Sequence, residues 1–324
     1  MVLAWTLTAC GQGASAQGDA VPADSAADPA PEGYPLTVEN CGNDVHFDAP
    51  PERVTLLESA PVTILEGIGV FDRVQSRAGS FPLDYYDDEL AQRVQDIEAF
   101  SDDVDASGHL MISQELVVAQ SPDLVLGLPD GLTREGLAEA GAATLTQELY
   151  CRDRSEEASF EDLYAEVERF GTIFDRQEAA AELTAELAER VAEVEERALG
   201  EGRTAAVLYP TVGGGPVYTY GTSSMAQPQL EAAGFDNVFA DSDERVFEVQ
   251  TEELIDRDPD VLVILYQGQQ KDAEDALLQR AGIEGVSALA EERVHYQLFN
   301  FTEPASPLVV DGLEQIAEHF SQAE

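Results

Sequence analysis

A stretch beginning at Glu115 and another beginning at Glu252, 137 positions later, share one plan. The first reads Glu115-Leu-Val-Val-Ala-Gln-Ser-Pro122-Asp123-Leu-Val-Leu and the second Glu252-Glu-Leu-Ile-Asp-Arg-Asp-Pro259-Asp260-Val-Leu-Val. In each, a glutamate stands seven residues ahead of a Pro-Asp pair that opens a short apolar run. Self-similarity at a fixed spacing reports architecture before any single motif does. Two copies at so long a spacing do not make a solenoid. They predict two like lobes, each with a helix that stops at Pro-Asp and a buried parallel strand after it. Two lobes leave a cleft between them, a common place for a small ligand.

The chain of 324 residues has room for two domains of ordinary size, and its 44% hydrophobic content supports packed cores. Its charge is heavily negative: 64 Asp and Glu against 17 Lys and Arg, a net of −47, with Lys271 the only lysine. Such a surface repels nucleic-acid phosphates and anionic lipid headgroups, so neither is an expected partner. The acidity has two readings, a solvated face suited to salt or solubility, or a field that draws cationic or neutral ligands.

Three cysteines occur, Cys10, Cys41 and Cys151. Leu7-Thr8-Ala9-Cys10 closes a short apolar stretch from Val2 and resembles a bacterial lipobox, which implies lipid attachment at Cys10 after signal cleavage. It departs from that pattern in having no basic residue ahead of it. Residues 11–33 are rich in Ala, Gly, Asp, Pro and Ser and contain no basic residue, the composition of a flexible tether. With Cys10 lipidated, two thiols remain in an exported protein. That suggests a Cys41–Cys151 disulfide, with two unpaired buried cysteines as the alternative. No segment is long enough for a transmembrane helix, so a lipid anchor is the only expected membrane attachment.

Along the chain, strands alternate with helices, the mark of parallel βαβ units in an α/β fold. Asn40-Cys41-Gly42-Asn43 is a turn signal within a short hairpin, and Arg53–Leu57, Arg73–Ser76, Leu124–Leu128 and Ala143–Glu148 read as strands. Pro61–Gly69 reads as a helix closed by glycine, and Ser159–Phe174 as another. The clearest helix is Gln177–Leu199, with the stripe Ala180, Leu183, Leu187, Val191, Val194 and Ala198 opposite an acidic face. It falls midway between the two blocks and is placed to join the lobes. After it come strands at Thr204–Tyr209, Val261–Tyr266 and Val294–Phe299, then a last helix from Ser306-Pro307. The resulting division is 1–33 for signal remnant, lipobox and tether, 34–174 for the first lobe, 175–200 for the linking helix and 201–324 for the second lobe.

The sequence carries no nucleophile elbow, phosphate-loop lysine or His-Glu-x-x-His, so an enzyme is not expected. The four histidines are scattered, which argues against a resident metal or a receptor for a bare metal ion. Aromatic residues at strand ends are the better candidates, because ligands of α/β sheets bind outside the carboxyl ends of strands. Tyr209, Tyr218, Tyr220, Tyr266 and Phe301 are the expected ligand contacts, offering flat apolar area and, in the tyrosines, a hydroxyl. Arg77, in the loop after the second strand, is the basic candidate, a surface salt bridge being the alternative.

Taken together, Asn40-Cys41-Gly42, Ala49-Pro-Pro-Glu-Arg-Val54, Glu66-Gly-Ile-Gly-Val70, both Glu-x6-Pro-Asp blocks, Gly234-Phe-Asp-Asn-Val-Phe239 and Ser306-Pro307 resemble the substrate-binding lipoproteins of ABC importers for iron-siderophores, haem and corrinoids. The resemblance runs from about Leu36 to the C-terminus. It implies two Rossmann-like lobes, each with a mostly parallel sheet flanked by helices, joined by a single long helix. It also implies a monomeric extracytoplasmic receptor without an intrinsic cofactor, lipid-anchored on the outer face of the bacterial cytoplasmic membrane, that hands a metal chelate to an ABC permease dimer. By position in the blocks, Glu115 and Glu252 are the carboxylates that dock on the permease. They would also favour the starts of their helices. Two departures bear on the ligand: the only tryptophan, Trp5, lies outside the lobes, and basic residues are sparse in the second lobe. A triply anionic catecholate chelate needs cations to offset the acidic field. The expected ligand is therefore a ferric siderophore of hydroxamate type, with a corrinoid or haem next.

Overall fold

The computed structural model describes residues 1–2, 33–105, 109–151, 156–197 and 199–321. Cys10 and the tether lie outside the described residues, apart from Gly33. The chain enters through an antiparallel hairpin of β1 (Leu36–Asn40) and β2 (Asn43–Phe47). Its turn, Cys41-Gly42, has positive φ at both residues (52° and 73°), the geometry that matches the twist of paired strands.

The first sheet is wholly parallel. Its strands are β3 (Val54–Leu56), β4 (Val74–Ala78), β5 (Glu98–Ser101), β6 (Leu124–Leu126) and β7 (Ala143–Leu145), in the spatial order β5-β4-β3-β6-β7. Crossovers carry α1 (Pro61–Gly67), α2 (Asp88–Asp96), α3 (Gln114–Val118) and α4 (Arg134–Glu139). The strand order reverses at β3, and the crevice at such a reversal is where doubly wound sheets bind ligands.

The second sheet holds β8 (Thr204–Pro210), β9 (Val217–Tyr220), β10 (Asp236–Asn237), β11 (Val246–Val249), β12 (Val261–Tyr266) and β13 (Val294–Leu298). Its order is β11-β9-β8-β12-β13, with β10 on β8; β9 and β11 run antiparallel to their neighbours. Around it lie α7 (Ala226–Ala232), α8 (Thr251–Arg257), α9 (Gln270–Leu278), α10 (Ser287–Ala290) and α11 (Leu308–Ser321). The expected pair of α/β lobes is therefore present.

The two repeated blocks fold alike. In each, the residue before proline leaves the helix in a left-handed conformation, Ser121 at φ 54° and Asp258 at φ 37°. Each buried proline then leads into a central strand. The Asp123 carboxylate accepts from the backbone N–H of Glu52 (3.0 Å) and Arg53 (2.9 Å), just ahead of β3. Asp260 accepts from Thr204 N (2.8 Å) and Thr204 Oγ1 (3.0 Å) at the start of β8. The repeated aspartate thus ties the strand it opens to the neighbouring central strand.

Between the sheets run α5 (Phe160–Ile173) and α6 (Gln177–Glu195), packed along each other. Gly171 permits this closeness, since a Cβ there would collide with the Ala180 methyl. Tyr34 Oη donates to Ile173 O (2.6 Å) at the first-lobe end, while at the second-lobe end Ala158 N donates to Thr222 O (2.8 Å). From the first-lobe end, just after Ile173, α6 leads back to the second lobe, where its Arg190 binds Asp311 and Glu314 of α11. One apolar cluster continues from Leu56 and Ile64 through Phe170, Leu187 and Val191 into Val207, Val263 and Leu313. A seam of that breadth opposes wide opening of the lobes.

Candidate functional site

The carboxyl ends of both sheets face one open cleft of about 1290 Å³. Drug-sized ligands occupy pockets of roughly 300–1,000 Å³, so this cleft admits a bulkier molecule. The first lobe contributes the loops after β3 (Leu57–Ala60), β4 (Gly79, Ser80) and β6 (Gly127–Asp130). The second lobe contributes the ends of β8, β12 and β13 together with β9 and the start of β11.

Aromatic side chains form much of the second-lobe wall. Tyr209 and Phe299 meet edge to face with ring centroids 5.7 Å apart, and Tyr218 and Tyr220 come from the same strand. Tyr220 is almost wholly buried, and that burial raises its hydroxyl well above the usual phenol value, so it stays protonated. Tyr209 is raised for the same reason.

Three residues expected here lie elsewhere. Phe301 packs edge to face on Tyr85 (5.3 Å) within a small apolar cluster with Leu298 and Leu308, against which Tyr266 also packs. That cluster belongs to the seam between the lobes, where Asn300 donates to Ser59 Oγ (3.1 Å) and its backbone N–H to Tyr85 Oη (3.0 Å). Arg77 turns away from the cleft, because its Nε donates to Val94 O (3.1 Å) and its guanidinium lies over the Phe81 ring (5.1 Å).

Among the described residues, the arginines that do line the cleft are Arg134 and Arg245. Arg134, from α4, donates to three neutral oxygens: Asn40 Oδ1 (2.7 Å), Thr146 Oγ1 (2.9 Å) and Thr144 O. Among the described residues no carboxylate bonds to it, and burial lowers its pKa. Asn40 is fully buried and also bonds both ways with the Thr146 backbone (2.9 Å each). The Cys41–Cys151 disulfide lies beside this network on the rim of the cleft. Arg245, just ahead of β11, spans Tyr150, whose ring it covers at 4.7 Å, and the fully buried Glu303, bonded at 2.6 Å. One of its five N–H groups is used by Glu303, which leaves donors for a ligand. Neither arginine carried a pattern signal in the sequence; only the Asn40-Cys41-Gly42 motif hinted at the Arg134 side.

Among the described residues, acidic groups outnumber these cations: Glu39, Glu58, Asp130, Glu148 and Glu156 also line the cleft. Glu115 and Glu252 lie outside it, exposed, each the second residue of its short helix, α3 and α8. Among the described residues no cluster of three or more His, Cys, Asp or Glu side chains could hold a metal ion, and no helix is long and apolar enough to cross a membrane.

Residues 54–297 match the family model for periplasmic binding proteins. A protein of an ABC-type Fe3+-hydroxamate transport system from Saccharomonospora viridis is 52% identical, superimposes with a TM-score of 0.85, and aligns over 89% of this chain and 99% of its own. More distant is a periplasmic haem-binding protein from Roseiflexus, 19% identical with a TM-score of 0.66 over 84% of this chain and 98% of its own. A periplasmic catecholate-siderophore binding protein from Vibrio cholerae is 15% identical, with a TM-score of 0.63 over 89% and 99%. These last two share the fold. No curated protein matches.

Proposed function

The chain belongs to the periplasmic binding protein family, and we propose that it is the extracytoplasmic receptor of an ABC importer, carrying a ferric hydroxamate siderophore in the cleft between lobes 34–174 and 201–324. The observation that carries the choice of ligand is the charge balance of the cleft. Among the described residues, five acidic residues and two arginines line it. Glu148 is paired with Arg169, Arg245 with Glu303, and burial keeps the Glu58 carboxyl protonated, which leaves three carboxylates against Arg134. Three hydroxamates around Fe3+ give an electrically neutral chelate, whereas three catecholates leave three negative charges, which this lining repels. The relative from Saccharomonospora viridis supports the same reading.

In this reading the free N–H groups of Arg245 and the hydroxyls of Tyr209 and Tyr218 reach the chelate's carbonyl oxygens, and the tyrosine rings cover its apolar flanks. The protein works as a receptor and not an enzyme, as a monomer anchored by lipid on Cys10 to the outer face of the cytoplasmic membrane. Glu115 and Glu252 meet the two halves of the permease. The test is thermal unfolding with ferric hydroxamates, ferric catecholates, haem and cobalamin at equal concentration. Ligand at about a hundredfold over its Kd adds about 2.7 kcal/mol of stability. A shift with hydroxamates and none with catecholates is expected. Stabilisation by haem or cobalamin alone would replace the ligand assignment, and no shift with any of the four would remove the receptor role.

A further inference from the structure

Among the described residues, Glu58 is the half-buried acidic side chain of the cleft with no compensating partner. Glu148 pairs with Arg169 at 2.5 Å, Glu166 with the same arginine at 2.7 Å, and Glu303 with Arg245 at 2.6 Å. Glu39, Asp130 and Glu156 sit exposed at the rim. Glu58 makes no hydrogen bond or ion pair among the described residues, although it is only partly open to solvent. Its place is held by backbone on both sides: Leu57 N donates to Leu126 O (2.8 Å), and Ser59 O accepts from Val62 N (3.2 Å) as α1 begins. The carboxyl therefore stays at the carboxyl end of the central strand β3, where the strand order reverses.

Its surroundings are charged on every side. From α5 it faces Glu166, with Arg169 and its second partner Glu148 beyond; from the segment after β7 it faces Tyr150; across Tyr150 stand Arg245 and Glu303. Burial first, and then Glu166, push the Glu58 carboxyl up to about 8. A half-buried carboxyl with no donor is costly, and a cationic donor relieves both the missing hydrogen bond and the repulsion from Glu166. A neutral N–H group relieves only the first.

Resting on the siderophore-receptor reading, we infer that Glu58 is a specificity-determining residue that accepts a hydrogen bond from an ammonium group on the ligand. The cleft then selects ferric hydroxamates carrying a protonated amine over the same chelates without it. Arg245 and the tyrosines of the facing wall hold the iron-bearing end, and Glu58 reads the pendant cation.

The experiment is isothermal titration at pH 7 with two probes: a linear ferric tris-hydroxamate ending in a primary amine, and the same chelate with that amine acetylated. The wild-type protein should bind the amine form about tenfold tighter or more, the range expected for a charged hydrogen bond. Its Glu58 should also lose a proton on binding the amine form, seen as a dependence of the heat on the buffer's ionisation enthalpy. In Glu58→Gln the affinity ratio should fall to within about twofold, with that proton release gone. Equal affinity of the wild-type protein for both probes, or an undiminished ratio in Glu58→Gln, overturns the inference and leaves the receptor role standing. Binding of neither probe by the wild-type protein removes the hydroxamate reading itself, and the role of Glu58 with it.

Discussion

Replacing Arg245 with methionine tests the electrostatics of the second-lobe wall directly. Glu303 has no exposed surface and receives two hydrogen bonds, from Arg245 Nη1 at 2.6 Å and from Met225 N at 2.8 Å. Methionine keeps most of the arginine's length and apolar volume but removes its charge, so Glu303 is left buried with one neutral donor. Taking away one partner of a buried pair costs about 3–5 kcal/mol. The cost depends on pH in a definite direction. Burial already raises the Glu303 carboxyl above its ordinary value, against the opposing pull of Arg245, and without Arg245 the rise is larger. A carboxyl raised in the folded state contributes stability that is complete below the unfolded pKa, near 4.3, and is lost as pH climbs through the folded pKa. Arg245→Met should therefore cost little near pH 4.5 and progressively more toward pH 8. Urea unfolding of the wild type, Arg245→Met and Arg245→Met/Glu303→Gln across that range measures it. The double variant should recover at least half of the loss at pH 8, because a neutral amide needs no counter-charge. A loss of equal size at both ends of the range, or a double variant no better than the single, would refute the buried-charge account.

Two further outcomes test other parts of the molecule. Glu115→Ala combined with Glu252→Ala should leave chelate affinity within about twofold yet abolish uptake in cells, because both carboxylates are exposed and outside the cleft; normal uptake by the double variant would end the docking assignment. Cys41→Ser/Cys151→Ser should lower stability to urea by about 2–5 kcal/mol, since the disulfide closes a sequence separation of 110 residues. A loss under about 0.5 kcal/mol would mean that the bonds of Asn40 to Thr146 already hold the hairpin to the first lobe.

What could be read from the sequence followed from local pattern. The strands β3, β8 and β12 announce themselves as short apolar runs buried on both faces, and α6 by its stripe. By contrast β5, with the sequence Glu-Ala-Phe-Ser, is a sheet edge with no fully buried residue and carries no such signal. In the second sheet β9 and the edge strand β11 depart from the parallel rule. The cleft divides in the same manner. Tyr209 and Tyr218 reach it because they end or follow a strand whose direction the pattern had set. Phe301 and Tyr266 also stand at strand ends, but the seam between the lobes takes them, and a contact across 215 residues, such as Tyr85 with Asn300, leaves no trace in local spacing. Arg134 and Arg245 were hidden for the same reason: their partners Asn40 and Glu303 are 94 and 58 residues away.

The repeated block separates what folding uses from what it leaves over. In both copies the proline is buried and the aspartate is engaged by backbone or side-chain donors at the start of a central strand. Those residues are explained by the architecture alone. The glutamates are not. Each occupies the second position of a short helix, where a negative charge is favourable but any of several residues would serve. Glu115 is held below the usual carboxylate range by backbone and Ser113 hydrogen bonds, so it stays ionised across the physiological range. Two exposed acids at equivalent places on two like lobes form a pair whose spacing is set by the whole fold. Such a pair suits a partner that is itself two-fold, and it is the part of the repeat that neither sheet requires.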